Sequence, residues 1–249
     1  MTFLNRYKRI LALIVALISI FSICGCQAVD TDYGTGSDNS DLNKKNDSVK
    51  VGKEAKIMSL DRVMSDYIDI SLFDEENYAD IYLGSDFEIE AHINENIFEV
   101  PCKLNDLADK GWVLADNNTH DKNSTIFAQE AVDLVFTDNE GNKITAQFYN
   151  TKKSSVKLSE CNIVKFTLKN GFYKNPKKYI SFNINGVTNS MAITDIIDTL
   201  GTPSHFYPVT ETEYYLDYFI SKRDRRNGIT VFVSTVDDCI TKIEFSYYK

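Results

Sequence analysis

The sequence predicts an α+β fold, in which tandem modules of short helices pack on antiparallel β-sheets behind a targeting segment and a flexible stalk. Three observations support this. The N-terminus carries a long apolar run, the stretch 27–55 is almost entirely polar, and beyond it strand-like alternation is interrupted twice by helical spacing. We therefore divide the chain into residues 1–25, 26–56, 57–86, 87–170 and 178–249.

Composition limits the classes of partner. The chain has 249 residues and a formal net charge of −9, which becomes −12 once the N-terminal cations Arg6, Lys8 and Arg9 are removed. An acidic body argues against nucleic acid and against electrostatic binding to anionic lipid. Without its first 25 residues the chain is still long enough for one large domain or two small ones.

The first 26 residues predict where the protein is located. The three cations precede a charge-free apolar run, Ile10–Ile23, and then Ile23-Cys24-Gly25-Cys26. The last four residues resemble the lipobox of bacterial lipoproteins. The resemblance implies that Cys26 receives a diacylglycerol and becomes the mature N-terminus, lipid-anchored at the extracytoplasmic face of the cell membrane. The alternative is an uncleaved helix, because Ile10–Val29 is also long enough to span a bilayer.

The stretch 27–55 is rich in Asp, Asn, Ser, Lys, Gly and Thr and has almost nothing apolar to bury. Such a composition does not compensate for the entropy lost on ordering. It therefore predicts a flexible linker between the anchor and the folded body.

Two patterns overlap in the lead-in, residues 57–86. Helical spacing after Ser59 is carried by Leu60, Val63, Met64, Tyr67 and Ile68. Ile68, Ile70 and Leu72 also alternate, so the second half is consistent with a strand. The acidic group that follows, 74–80, lacks the spacing of a calcium loop and is interpreted as a solvated loop.

In the first module, 87–170, a hairpin is expected from 87–91 and 97–100 around the turn 94–96. A short helix with Leu104, Leu107 and Ala108 on one face should end at Gly111. Trp112 should then fill the junction between helix and sheet. A polar loop, 116–124, precedes predicted strands at 131–137, 143–149 and 161–169.

The second module, 178–249, repeats the order strand, helix, three strands. Its helix has Ile193, Ile196, Ile197 and Leu200 at i, i+3, i+4 and i+7, with Asn189 or Ser190 as the cap and Gly201 as the stop. The predicted strands are 179–183, 213–220, 229–235 and 240–248.

Beyond Cys24 and Cys26, the chain has Cys102, Cys161 and Cys239. An odd number leaves one thiol unpaired outside the cell. If a disulfide forms, Cys102 with Cys161 is the expected pair, because both lie in one module. The alternative is that all three are small buried apolar residues.

A resemblance to known families emerges at this point. Gly186-Val187-Thr188, Asp195-Ile196-Ile197, Leu200-Gly201-Thr202-Pro203 and Tyr214-Tyr215 resemble the pattern of the small outer-membrane assembly lipoproteins. The same helix-on-sheet unit in tandem is the plan of the β-lactamase inhibitor proteins. Val100-Pro101-Cys102-Lys103-Leu104 and Gly111-Trp112 make the chain similar to uncharacterised surface lipoproteins of anaerobic Gram-positive bacteria of the Firmicutes type. The resemblance implies binding to another protein.

Motifs that carry chemistry are missing from the sequence. His92, His120 and His205 lie far apart and form no metal-type pair, and no nucleophile elbow, phosphate-binding Gly loop or zinc-protease helix is present. The sequence therefore predicts neither a catalytic residue nor a metal or other cofactor. A site made of paired carboxylates stays open, since 36 acidic residues offer many pairs.

Two features are candidate contact surfaces. The first is aromatic and consists of His205, Phe206, Tyr207, Tyr214, Tyr215, Tyr218 and Phe219. Aromatics occupy both faces of the strand 214–219, so one set should be core and the other either exposed or covered by a neighbouring element. The second is a basic hairpin tip with Arg223, Arg225 and Arg226. Exposed Tyr and Arg often anchor protein interfaces, although sheet packing and an ordinary solvated turn are the simpler interpretations.

These observations favour a non-enzymatic lipoprotein that binds another extracytoplasmic protein through the outer face of its sheet. The first alternative is a small-ligand or glycan-binding lipoprotein that serves a transporter or a wall enzyme. The second is a carboxylate-based wall hydrolase.

Overall fold

A computed structural model describes residues 64–172, 174–175 and 179–248. The expected signal peptide, the lipidated Cys26, the linker and the start of the lead-in lie outside the described residues, so their assignments stay predictions. Among the residues described, no helix is both long and apolar enough to cross a membrane.

Short helices and many strands make up the described residues. The helices are α1 (Leu104–Asp109) and α2 (Ile193–Leu200), and 3₁₀ turns lie at Ile70–Leu72 and Leu158–Glu160. The strands are β1 (Ala91–Ile93), β2 (Asn96–Phe98), β3 (Val113–Leu114), β4 (Thr125–Ile126), β5 (Ala131–Thr137), β6 (Lys143–Tyr149), β7 (Val156–Lys157), β8 (Asn162–Lys169), β9 (Phe182–Ile184), β10 (Val187–Thr188), β11 (His205–Pro208), β12 (Glu213–Phe219), β13 (Gly228–Ser234) and β14 (Cys239–Ser246). The fold is a sheet-rich α+β arrangement.

A single large sheet joins the two predicted modules. Within the described ranges its eight strands run in the order β11-β12-β13-β14-β8-β6-β5-β3. All pairings are antiparallel, and β14 pairs with β8 so that Phe245 faces Phe166. The last strand of each module lies at the centre and β3 and β11 lie at the edges, so the order is mirrored about the β14–β8 pair.

A smaller sheet, β10-β9-β1-β2, has the same mirrored character. Its central pair joins β1 of the first module to β9 of the second, with His92 opposite Asn183. The two modules thus do not form separate sheets, and the described residues all belong to one compact unit. In one module alone, the apolar face of the strands would have no second layer to pack against. The two shared sheets supply that layer.

The core lies on the inner face of the large sheet. Phe98 of the small sheet packs against Phe166 with ring centroids 5.4 Å apart, and Ile193 and Ile196 of α2 are fully buried in the same cluster. Trp112, 2% exposed, belongs to it as predicted.

Two carboxylates cap the N-terminus of helix α2. The side chain of Asp195 accepts a hydrogen bond from the Ala192 N–H at 3.0 Å, and Asp238 accepts one from the Ile193 N–H at 3.0 Å. The predicted cap, Asn189 or Ser190, is therefore wrong. Asn189 is instead buried, where its amide donates to the Asn170 side chain and to the Ile180 carbonyl.

The lead-in is fixed to the body by Met64 and Ile68, which are 0% and 7% exposed. Of the two alternatives left open for 68–72, helix or strand, the strand does not form. Asp69 accepts a hydrogen bond from the Ser71 N–H at 3.0 Å and so caps a 3₁₀ turn, Ile70–Leu72. This local side-chain hydrogen bond competes with extended backbone.

Candidate binding site

The alternation of β12 separates the predicted aromatic residues into two sets. Tyr214 and Tyr218 are 0% and 1% exposed on the core face, so their assignment as partner contacts is wrong in this fold. Tyr215 is half-buried on the outer face, and Tyr207 on the neighbouring strand is 49% exposed. The expectation that one aromatic set of this strand would be core is confirmed, and the other set, Tyr215 and Phe219, is half-buried on the outer face.

Three outward rings form a row across β11, β12 and β13. Tyr207 lies opposite Tyr215, and Tyr215 lies opposite Phe232. The ring centroids of the first pair are 5.3 Å apart and those of the second pair 5.7 Å. At the far end, Lys242 Nζ lies 3.4 Å from the Phe232 centroid. We call Tyr207, Tyr215 and Phe232 the aromatic row.

Residues 74–84, which we call the strap, run along the end of the large sheet beside this row. The Ala79 N–H donates to the Ser204 carbonyl at 2.9 Å and the Leu83 N–H to the Phe219 carbonyl at 2.9 Å. Asp74 accepts hydrogen bonds from the N–H groups of Glu76 and Tyr78. These bonds position the Tyr78 ring over the outer face.

Tyr78 lies between a histidine and an arginine. Its ring stacks on His205 with centroids 4.0 Å apart and planes 14° apart. The guanidinium carbon of Arg225 lies 4.1 Å from the centroid of the Tyr78 ring. A guanidinium at this distance is attracted by the quadrupole of the ring. The strap thereby links the basic hairpin tip to the sheet.

Below Tyr78, His205 is held by a carboxylate. His205 Nδ1 and Asp217 Oδ2 are 2.9 Å apart, and the Thr230 hydroxyl donates to the other oxygen of Asp217 at 2.6 Å. Both His205 and Asp217 are buried. Because Thr230 bonds the carboxylate and not the imidazole, the trio lacks the nucleophile-to-base hydrogen bond of a hydrolytic triad. These bonds fix the position of the His205 ring beneath Tyr78.

A cleft of about 370 Å³ opens between these groups. Tyr78, Arg225, Tyr215 and Phe232 are among the residues that line it. Burial, followed by the nearby negative charge of Asp217, raises the pKa of Tyr215 to about 12. The Tyr215 hydroxyl therefore stays protonated and can act as a hydrogen-bond donor at neutral pH.

The basic tip is exposed, and its cations differ in their partners. Arg226 binds Asp224 through two nitrogens at 3.0 Å, which lowers the pKa of that carboxyl. Lys222 pairs with Asp80 of the strap at 2.9 Å. Among the described residues, no carboxylate lies within ion-pair distance of Arg223 or Arg225.

In the described part of the chain, Cys102 and Cys161 are not suited to nucleophilic chemistry. Cys102 and Cys161 are separate thiols in the structure, although the backbone of Cys102 bridges to Ile163, two residues from Cys161. Burial raises the pKa of Cys102 to about 12 and also raises that of Cys161. Thiols that resist ionisation are poor nucleophiles. The disulfide between them stays a prediction.

The other histidines lie at the surface, where His92 contacts Glu90 and His120 contacts Thr119. In the part of the chain that the structure describes, no group of three or more His, Cys, Asp or Glu side chains could hold a metal ion.

No protein-family model matches this chain, and no curated protein or solved structure is significantly similar to it.

Two of the rings that line the cleft, Phe232 and Tyr78, were not predicted from the sequence. Phe232 alternates outward in a predicted strand, and that spacing could have identified it. Tyr78 lies in a stretch assigned to a solvated loop, and its partner His205 lies in β11, which was not predicted. No local pattern links these two residues.

Proposed function

We propose that the protein is a membrane-anchored extracytoplasmic lipoprotein that binds another envelope protein, without catalysis, through the outer face of its large sheet. The observation that carries the proposal is the aromatic row with Arg225 beside it on the outer face of the sheet, where Tyr207 is 49% exposed. Tyr and Arg are the residue types that most often dominate binding energy at protein interfaces.

The tandem plan supports this proposal. A strand order mirrored about the β14–β8 pair is what two copies of one helix-on-sheet unit would give when joined edge to edge. The β-lactamase inhibitor proteins, which this plan resembles, also act by binding a protein. The resemblance supplies the class of function and identifies no contact residue.

The anchor supports the location. Acyl chains on Cys26 would hold the body at the membrane, since each buried methylene contributes about 0.8 kcal/mol. Labelled palmitate should enter the wild-type chain in cells and should not enter the Cys26→Ser variant. Equal labelling of the two chains would contradict the assignment of Cys26.

Cross-linking in native membranes tests the protein-binding role. The wild-type chain should form a discrete cross-linked species with another protein, and Tyr207→Ala with Tyr215→Ala should reduce its yield severalfold. The matched control is Phe127→Ala, because Phe127 is an exposed aromatic, 67% exposed, outside the row. A complete absence of cross-linked partner, or an equal loss in the control, would count against the proposal.

The cleft favours one alternative, a glycan-binding or small-ligand-binding lipoprotein that serves a transporter or a wall enzyme. Ring faces such as that of Tyr215 also suit the apolar faces of sugars. In that case a soluble wall fragment would raise the melting temperature by linkage, and Tyr215→Ala would remove the shift.

A further inference from the structure

Resting on the proposed protein-binding function, we propose that the cleft binds an acidic peptide segment of the partner, in which one carboxylate pairs with Arg225. A neighbouring apolar side chain of the same segment lies on the rings of Tyr215 and Phe232.

Charge complementarity supports the acidic class. Arg226 and Lys222 are already matched by Asp224 and Asp80, whereas Arg225 has no ion-pair partner among the described residues. An unmatched cation on a protein of net charge −9 is a local site for an anion.

The carboxylates within the cleft do not cancel this charge. Asp217 is buried, and its two oxygens are engaged by His205 and Thr230. Glu244 lies between Lys165 at 3.4 Å and Lys242 at 3.1 Å, a trio that carries one net positive charge. With Arg226 and Asp224 cancelling each other, the cations Arg225, Lys165 and Lys242 exceed the carboxylates of Asp217 and Glu244 by one positive charge at and beside the cleft.

Arg225 is also preorganised. Its guanidinium lies on the ring of Tyr78, and Tyr78 lies on His205. Stacking holds the guanidinium plane while its edges remain free for a carboxylate, which the planar fork binds through two parallel hydrogen bonds.

The aromatic side of the cleft favours a peptide over a simple anionic polymer. A polyphosphate would use the cation and leave the ring faces of Tyr215 and Phe232 against water. From Tyr78 to Tyr215 the path crosses His205, with centroid separations of 4.0 and 5.7 Å. Arg225 lies a further 4.1 Å beyond the Tyr78 centroid, and an extended chain advances about 3.3 Å per residue, so the apolar side chain should lie within about four residues of the acid, on either side.

Selection from a random twelve-residue peptide display library, against the full extracytoplasmic chain, provides the test. Enriched peptides should carry Asp or Glu within about four residues of an aromatic or large aliphatic residue. A synthetic copy of one enriched peptide should bind about tenfold more weakly to Arg225→Gln, because a charge-assisted pair is lost. Arg223→Gln, on the same exposed tip, should change its affinity less than twofold.

Three results would overturn the inference: enriched peptides without an acid, equal effects of the two arginine variants, or inorganic polyphosphate binding as tightly as the peptide. The cross-linking experiment separates this failure from that of the function. If a partner is captured equally well by Arg225→Gln, the protein-binding role stands and the acidic-segment assignment falls.

Discussion

Tyr218 has a hydroxyl that is buried in the core without a hydrogen-bond partner among the described residues. Burial raises its pKa, so the group is neutral and simply desolvated. Tyr218→Phe removes this group and keeps the shape of the ring. We expect the free energy of unfolding to rise by about 1 kcal/mol, measured by urea denaturation. A loss of stability would reveal that the hydroxyl has a partner.

Cys102 provides a prediction about reactivity at the same scale. Its pKa of about 12 compares with 9.0 for an ordinary thiol, so at pH 8, below both values, the thiolate is about a thousandfold scarcer. Alkylation by iodoacetamide at pH 8 should therefore be far slower in the folded protein than in urea. Mass spectrometry of the peptide containing Cys102 measures both rates. Equal rates would contradict the burial, and a peptide cross-linked to Cys161 would establish the predicted disulfide.

Residue roles were predictable where a local sequence pattern decides them. Trp112 was expected in the core because it follows a helix stop, and it lies there. Tyr214 and Tyr215 are adjacent aromatics, so sequence could predict that they point to opposite faces but not which face was buried. Tyr78 depends on a hydrogen bond pattern from Asp74 and on a distant histidine, and such long-range contacts leave no local signal.

At the scale of elements, the start of β13 depends on Gly228. Its φ is +149°, and a Cβ added there would lie 2.1 Å from the Tyr218 carbonyl oxygen. Since that contact is with backbone, Gly228→Ala should shift the β12–β13 pairing and lower the unfolding free energy by more than about 2 kcal/mol. The measurement is chemical denaturation.

Gly141→Ala is the matched control for this variant. Gly141 also has a positive φ, +79°, but nothing lies within 4 Å of its added Cβ. Only backbone strain applies there, about 1 kcal/mol. Equal losses in the two variants would mean that the clash at Gly228 is relieved by local movement.

Strands with clear alternation were predicted well and short ones were not. β5 and β6 have the predicted bounds, Ala131–Thr137 and Lys143–Tyr149, because one face of each is apolar and turn residues separate them. β11 is only His205–Pro208 and ends in a proline, so it has too few residues to show a period. It forms because β12 supplies its hydrogen-bond partners.

At the scale of the whole molecule, the two halves depend on each other. A chain of residues 178–249 alone would expose the β14 edge that pairs with β8 and the β9 edge that pairs with β1. We expect this fragment to remain unfolded or to aggregate, whereas residues 57–249 fold cooperatively. Circular dichroism and size-exclusion chromatography measure both. A monomeric, cooperatively folding fragment would restore the view of two independent modules.

The order of the helix and the long strands in each module was readable from sequence, but the pairing of the two modules was not. β8 and β14 each alternate in the way of any half-buried strand, and nothing in that pattern marks which edge will pair with which. At the junction, the buried side-chain amide of Asn189 donates a hydrogen bond to that of Asn170, 19 residues away. Hydrophobic periodicity does not predict a contact between polar side chains.

The buried pair Met64 and Ile68 precedes the strap along the chain. If the protein is tethered through Cys26 as proposed, mechanical tension along the stalk reaches these two side chains before it reaches Tyr78. The core packing of Met64 then bears this tension. Thermal motion of the tethered body therefore leaves the geometry beside Arg225 unchanged until the Met64 side chain is pulled out of the core.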